Sequence, residues 1–422
     1  VGIFGYGVEG RATRRRLEGI AGSLVLVDDV ANVGDGVLVT SQGGLEALRQ
    51  CDVVLKSPGI PRRRSDVLDL ERSGVVVTSA LNLWLHDVDR SRVVAVTGTK
   101  GKSTTTALVT FFLQCVGEHA LRLGNIGQPP YDPDIDTSRG WLIVEVSSFQ
   151  CVDIDVAPGQ VLVTSLGEDH IDWHGSVADY RSDKLSLTRA SGDHQTLVPE
   201  SSIFHELVHQ LGGSVSFVAP DSSSLAESLG LQGAHSHSNV AMALRCVTLL
   251  TGVNPSELHD RIAAHASTFS PLPGRLTLVA TEHIDGATVR FVDDGLATSV
   301  LPTIAALEVF EGDPVALIAG GFDRGVDYEP LAVVLAARTN STALISIGDA
   351  GQRLGEALRR LRPDIVHVHV EGMRAAVERA RLNVPQGGVV LLSPAAPSFD
   401  RYRNWEERSA DFTHMVTATS HI

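Results

Sequence analysis

The run Val93-Val94-Ala95-Val96-Thr97-Gly98-Thr99-Lys100-Gly101-Lys102-Ser103-Thr104-Thr105 carries an apolar strand straight into a Gly-Lys-Ser-Thr turn. A strand, a tight loop and a helix in that order predict one parallel α/β unit built around a phosphate cradle. At such a turn successive backbone N–H groups and the helix N-terminus point at one place, where an anion is held. Lys102 can reach terminal phosphates, and the Ser103 or Thr104 hydroxyl can hold Mg2+. Gly98, Thr99, Lys100 and Gly101 form the loop. Val96 stands where the common pattern has its first glycine, so the loop is the shortened variant Gly98-x-x-Gly101-Lys102-Ser103-Thr104.

A chain of 422 residues exceeds a single compact core and predicts two or three domains. Its net charge of −15 argues against nucleic acid or an anionic membrane as a partner. The charge of a phosphate ligand must therefore be met locally. No apolar run approaches the roughly 20 residues that span a bilayer, and no charged-then-apolar leader precedes the first strand, which favours the cytoplasm. Cys51, Cys115, Cys151 and Cys246 show no C-x-x-C spacing and read as buried free thiols. The chain starts at Val1 inside a strand, so a trimmed N-terminus is expected.

Three α/β domains are expected. Residues 1–90 open on a strand that turns at Gly5-x-Gly7-x-x-Gly10 into a helix, and the next strand ends in Asp28-Asp29. This is a dinucleotide-type fingerprint, which serves either a nucleotide or nucleotide sugar or only tight helix-strand packing. The strand Asp52–Lys56 leads to Ser57-Pro58-Gly59, a turn at a strand's carboxyl end where α/β ligands sit. Residues 91–272 hold the phosphate loop and the non-alternating apolar strands Trp141–Val146 and Val161–Ser165, as in parallel sheets covered on both faces. A helix is expected over Ala234–Thr251, and Ser270-Pro271-Leu272-Pro273-Gly274 reads as a linker. Residues 273–422 form a further α/β unit with strands near Thr288, Val315, Thr342, Asp364 and Gly388.

Glu145, near the carboxyl end of its strand, stands where a carboxylate would share a Mg2+ with Ser103 or Thr104. After the next strand comes Glu168-Asp169-His170, in which a neutral imidazole can ligate a cation. Lys184, in Tyr180-Arg181-Ser182-Asp183-Lys184, looks by itself like a helix-surface lysine.

Together these residues resemble the Mur ligase family over nearly the whole chain, and within it the glutamate-adding branch. The supporting motifs are Gly98–Thr104, Gly124-Asn125-Ile126-Gly127, Glu145–Gln150, Glu168–His170, Tyr180–Lys184, Asp293–Thr298, Gly320–Gly325 and Leu392–Ala395. The resemblance implies a Rossmann-like first domain for a UDP-sugar, a central P-loop ATPase-type domain for ATP and two Mg2+ ions, and a Rossmann-like third domain closing on ATP and binding glutamate. It implies an acyl-phosphate mechanism in which Lys102 holds the β- and γ-phosphates. Ser103, Thr104 and Glu145 would serve one Mg2+, and Glu145, His170 and Lys184, carbamylated by CO2, the other. Asn239, Arg275 and Asp294 would contact adenine, phosphate and ribose. Gly5, Gly7, Gly10, Asp28, Ser57 and Asn125 would bind the UDP-N-acetylmuramoyl-L-alanine substrate. Thr298, Arg324, Ser398, Phe399 and Trp405 would line the amino-acid pocket. The implied protein is a cytoplasmic monomer.

The chain departs from the D-glutamate-adding pattern Asp-Ser-Lys-Ala-Thr-Asn, reading Asp294-Gly295-Leu296-Ala297-Thr298-Ser299 instead. Phe399 is larger than usual, Trp405 replaces a phenylalanine, and Ser236 replaces a common histidine. Changes gathered in the amino-acid pocket point to a branch that adds L-glutamate, with D-glutamate as the alternative. A folylpolyglutamate-synthase-like ligase and a non-catalytic ATP-binding module are the competing readings.

Overall fold

The computed structural model describes residues 1–125, 128–284, 286–384 and 387–418. Ile126 and Gly127 of the Gly124–Gly127 motif lie outside the described residues.

Short β-branched runs alternate with helices, and this alternation builds three mostly parallel sheets. The first contains β1 (Gly2–Phe4), β2 (Val25–Asp28), β3 (Val37–Val39), β4 (Val53–Lys56) and β5 (Val76–Thr78), in the order β3-β2-β1-β4-β5. The second contains β6 (Val93–Thr97), β7 (Ala120–Gly124), β8 (Trp141–Glu145), β9 (Gln160–Val163), β10 (Gln195–Pro199) and β11 (Ser214–Val218), in the order β11-β10-β9-β6-β8-β7. The third contains β12 (Thr277–Ile284), β13 (Ala287–Asp293), β14 (Val315–Gly320), β15 (Thr342–Ile347), β16 (Val366–Val370) and β17 (Gly388–Leu392), in the order β12-β13-β17-β14-β15-β16. All ladders are parallel except the edge pair β12–β13.

β6 lies between β8 and β9, and all five of its side chains are buried. That explains a run of valines without alternation. The helix Lys102–Cys115 returns across the same sheet and buries Leu108, Val109, Phe112 and Leu113. The expected helix Ala234–Thr251 has those bounds. The strands that the sequence left unmarked include the three-residue β3 and β5, too short for periodicity, and β12, an edge strand whose polar residues hide its pattern.

The chain divides into two compact units, residues 1–222 with 237–265, and residues 223–236 with 266–422. The first unit holds the first two sheets, and buried charge joins them. Lys56 at the end of β4 donates to Asp153 Oδ2 at 2.6 Å, both side chains being fully enclosed, and Arg62 donates to Asp153 Oδ1 at 3.0 Å. Burial pulls the Lys56 ammonium below the ordinary lysine value while Asp153 pulls it back. Removing one partner of such a pair strands the other without a counter-charge. Asp153→Ala is therefore expected to cost about 3–5 kcal/mol in urea unfolding, and Lys56→Met combined with Asp153→Leu distinctly less.

Candidate active site

The phosphate loop is shaped by contacts that only glycine permits. Gly98 has φ +146°, and a Cβ there would lie 2.1 Å from Thr164 Oγ1; Gly101 has φ +84°, and its Cβ would lie 2.6 Å from Asn239 Oδ1. Asn239 is itself placed by Thr105 Oγ1, 3.3 Å from its Oδ1, so it packs against the start of the phosphate-loop helix. Thr99 N–H donates to Ser165 O at 2.9 Å and Lys100 N–H to Ser165 Oγ at 2.8 Å. The Thr99 hydroxyl meets Tyr180 OH at 2.9 Å and accepts from Gly167 N–H at 2.8 Å. Thr99 and Lys100, expected among the phosphate-binding residues, thus brace the loop against the end of β9 with their backbone N–H groups and the Thr99 hydroxyl. An anion at this helix N-terminus would meet the first-turn N–H groups of Lys102, Ser103 and Thr104.

Beneath that turn two amines meet on one carbonyl. Lys102 Nζ donates to Gly98 O at 2.8 Å and to Thr99 O at 3.2 Å, while Lys184 Nζ donates to the same Gly98 O at 3.0 Å. Lys184 is 1% exposed. Burial, and then repulsion from Lys102, bring it down to about 7, so near neutrality much of this amine is uncharged. The sequence shows Lys184 as a surface residue; the structure encloses it.

Glu145 closes β8 in register with Val96 of β6 and is 1% exposed. Its Oε1 accepts from Asn125 Nδ2 at 3.0 Å, and its Oε2 is buried without a hydrogen-bond partner. A buried carboxylate oxygen left without a donor is costly unless a cation meets it. Ser103 is buried in the first turn of the adjoining helix and supplies a hydroxyl. Among the described residues no group of three or more His, Cys, Asp or Glu forms a self-sufficient metal cage. Mg2+ does not require one, because it is usually held by one or two carboxylates together with substrate phosphates. The residues present therefore fit that ion. His170 adopts φ 49°, a left-handed conformation that costs a non-glycine residue of the order of 1 kcal/mol or more. Its ring centroid stands 4.8 Å from that of Phe149, and it is half exposed; the Asp172 side chain lies outside the described residues.

In the first sheet Gly10 lets its helix approach the turn, since a Cβ there would lie 2.1 Å from Gly5 O. Asp28 accepts from Tyr6 N–H at 2.6 Å and from Val30 N–H at 2.8 Å, and Ser57 Oγ donates to Gly5 O at 2.8 Å. Both residues, expected as substrate contacts, brace the glycine turn from either side. Gly7 borders open space. Glu9, in the first turn of the helix, accepts from Gln150 Nε2 at 2.7 Å, and burial holds its carboxyl above the usual carboxylate range.

The second unit gathers its own set. Asp293 accepts N–H bonds from Gly274 (3.0 Å) and Gly295 (2.8 Å) and a hydroxyl bond from Ser409 (3.0 Å), which fixes the backbone on either side of Arg275 and Asp294. Asp294 Oδ2 lies 2.8 Å from Ser393 Oγ. A Cβ at Gly295 would fall 2.1 Å from Ser409 Oγ, so the serine of the D-glutamate pattern would require that hydroxyl to move from its bond to Asp293. Trp405 lies against Gly274, whose φ is +68°. Ser398 is buried, Phe399 exposed, and the Arg324 guanidinium stands 5.8 Å over the Phe399 ring. Thr298 donates its N–H to Leu296 O at 2.8 Å. Arg408, unmarked in the sequence, is buried and donates to Ala396 O and Gly295 O at 3.0 and 3.1 Å; burial lowers it to about 10.

Residues 96–202 match the Mur ligase middle domain. Over its full length the chain is 37% identical to the UDP-N-acetylmuramoyl-L-alanine--L-glutamate ligase of Micromonospora sp., covering 97% of that protein. The chain belongs to the Mur ligase family. A UDP-N-acetylmuramoylalanine--D-glutamate ligase of Symbiobacterium thermophilum is 29% identical over 91% of the chain and 88% of its own. The UDP-N-acetylmuramate-alanine ligase MurC of Thermotoga maritima superposes with a TM-score of 0.55 at 16% identity, with 99% of both chains covered, a likeness of fold. No helix among the described residues is long and apolar enough to cross a membrane.

For this Mur ligase the buried Lys184 makes a direct prediction. An unfolded lysine keeps its proton up to an ordinary value of 10.5, while the folded one releases it near 7. Between those values the unfolded chain binds more protons, so wild-type stability rises with pH. Lys184→Met is expected to be the more stable protein below about pH 7, by about 1–4 kcal/mol, and the advantage should close toward pH 10.5. Urea denaturation across that range measures it.

Proposed function

We propose that this chain is an ATP-dependent, ADP-forming ligase that joins glutamate to UDP-N-acetylmuramoyl-L-alanine in peptidoglycan precursor synthesis, with L-glutamate as the amino acid. One observation carries the reading most directly: Lys102 and the buried Lys184 share the Gly98 carbonyl while Glu145, at the end of the neighbouring strand, keeps a buried unpaired oxygen. A protein that only binds ATP has no use for such a lysine. The glycine turn of the first sheet speaks for a UDP-sugar and leaves a folate-polyglutamylating reading without a role for that domain. The preference for L-glutamate rests on the relative named above and on the altered Asp294–Ser299 segment, Phe399 and Trp405.

In this reading residues 1–90 bind the UDP-sugar, 91–272 ATP and Mg2+, and 273–422 glutamate, in a cytoplasmic monomer. The alanyl carboxylate attacks the γ-phosphate, ADP leaves, and an acyl phosphate results; the glutamate amine attacks the acyl carbon and phosphate departs. Lys102 exchanges the Gly98 carbonyl for the terminal phosphates, and the first-turn N–H groups hold the rest of the chain of phosphates. Ser103, Thr104 and Glu145 would hold one Mg2+, and Glu145, His170 and Lys184 a second. Bound there, Mg2+ supplies charge neutralisation between two mutually repelling anions and in-line orientation. As an ammonium Lys184 cannot serve. Its uncharged amine can add to CO2, forming an N–C bond and releasing a proton to solvent, and the resulting carbamate is an oxygen donor. Arg275 and Asp294 are the second unit's candidates for nucleotide phosphate and ribose, and Arg324, Thr298 and Ser398 for glutamate.

Phosphate release that depends on ATP, UDP-N-acetylmuramoyl-L-alanine and L-glutamate together is the expected outcome. Lys102→Ala and Glu145→Gln should each lower kcat by at least about 100-fold. Turnover of D-glutamate alone refutes the L-glutamate reading, and ATP binding without substrate-dependent phosphate release refutes the ligase. Carbon-13 NMR of enzyme in labelled bicarbonate should show a carbamate signal that Lys184→Met lacks.

A further inference from the structure

The loop that follows β4 is bonded to three segments of the central domain, each adjoining one of the strand-end residues above. Arg62 reaches Asp153, beyond the Glu145–Gln150 segment, at 3.0 Å. Trp173 Nε1, three residues past His170, donates to Gly59 O at 3.3 Å. Arg63 grips Asp183, the neighbour of Lys184, with both guanidinium nitrogens at 2.8 Å.

Asp183 is the hub of this arrangement. Besides Arg63 it holds His174 Nδ1 at 2.8 Å, and His174 Nε2 lies 3.0 Å from Ser148 Oγ. With the carboxylate accepting at Nδ1, that nitrogen carries the proton, and Nε2 accepts from the Ser148 hydroxyl. Ser148 opens the short helix just after Glu145, behind the Ser147–Gln150 capping box. A continuous line of bonds thus runs from Arg63 in the first domain through Asp183 and His174 to the segment that follows Glu145. Lys184 sits on the same helix turn as the hub. His174 and Asp183 are buried, whereas Arg63 is the half-exposed end of the line. Such second-layer partners set ligand orientation, and their loss typically costs a metal site about 10–100-fold.

We propose that Asp183, held by Arg63 and passing that hold through His174 to Ser148, is the positioning residue that keeps Lys184 and Glu145 in mutual register, so that a loop of the first domain completes the geometry of the cation site. The inference rests on the function proposed above and adds residues to it. Arg63, Asp183, His174 and Ser148 act through Lys184 and Glu145.

The test compares Arg63→Ala, Arg63→Lys, Asp183→Asn and the double variant Arg63→Ala/Asp183→Asn with wild type. Arg63→Ala should lower kcat about 10–100-fold and raise the Mg2+ needed for half-maximal rate about tenfold. The KM for the UDP-sugar should stay within about threefold. Arg63→Lys, which keeps the charge without the fork, should recover part of kcat. The double variant should be no worse than the poorer single one, because both break one line. Calorimetric binding of a non-hydrolysable ATP analogue should show the same shift in Mg2+ requirement, a readout that needs no turnover. Unchanged kcat and Mg2+ dependence in Arg63→Ala overturns the proposal, as does a rise in UDP-sugar KM at constant kcat, which would make Arg63 a substrate contact. Melting lowered in step with activity in all variants also overturns it, leaving a structural brace. If wild type releases no glutamate-dependent phosphate, the function fails, and the calorimetric Mg2+ shift still decides the positioning role.

Discussion

Two amines competing for one carbonyl oxygen is the constraint on which the candidate site depends. Gly98 can offer its carbonyl to both Lys102 and Lys184 only because it adopts a conformation that a side chain would forbid. The convergence brings the half-buried Lys102 and the enclosed Lys184 together, and burial with repulsion moves Lys184 toward neutrality. The Glu145 oxygen without a donor is the complementary imbalance. Two amines on one carbonyl and, at the end of the neighbouring strand, a buried carboxylate oxygen without a donor are groups that a nucleotide with its cations would satisfy.

The surrounding architecture maintains that imbalance with fully committed polar groups. Ser165 and Tyr180 secure the loop from below, and Asp28 and Ser57 secure the glycine turn of the first sheet. Buried pairs such as Lys56–Asp153 and the Glu9–Gln150 bond make the first two sheets one compact unit. Buried ion pairs add little net stability over apolar packing, yet they penalise every arrangement that separates the partners. Their value here is registration between the glycine turn of the first sheet and the phosphate loop. In the second unit Asp293 does comparable work by holding the backbone at Gly274 and Gly295.

Of the four described non-glycine residues in the left-handed region, three lie near candidate site residues and Asn32 does not. His170 belongs to the candidate cation set, Leu276 follows Arg275, and Ala395, two residues past Ser393, donates its N–H to Ala297 O.

The parallel α/β class, the phosphate loop, the glycine turn and the family were all legible in the sequence by itself, because they rest on local rules: apolar runs make covered strands, and Gly-Lys-Ser-Thr after a strand makes an anion cradle. The edge strands β3 and β5 escaped because three residues with no glycine motif behind them carry no period, and β12 because its polar residues hide its pattern. Roles that depend on distant partners were decided only by the tertiary structure. Nothing in Asp183-Lys184 tells a helix-surface pair from a buried one; enclosure of the lysine comes from the return of its helix beneath Gly98, 86 positions away. Asp28 and Thr99 sit where a ligand contact is expected, and the structure adds internal partners that the sequence does not show, Tyr6 N–H for the first and Tyr180, Gly167 and Ser165 for the second. Local pattern determines which backbone forms, and long-range packing determines which side chains are left with unmet charge, because solvation and hydrogen-bond supply are properties of the folded surroundings and not of the residue.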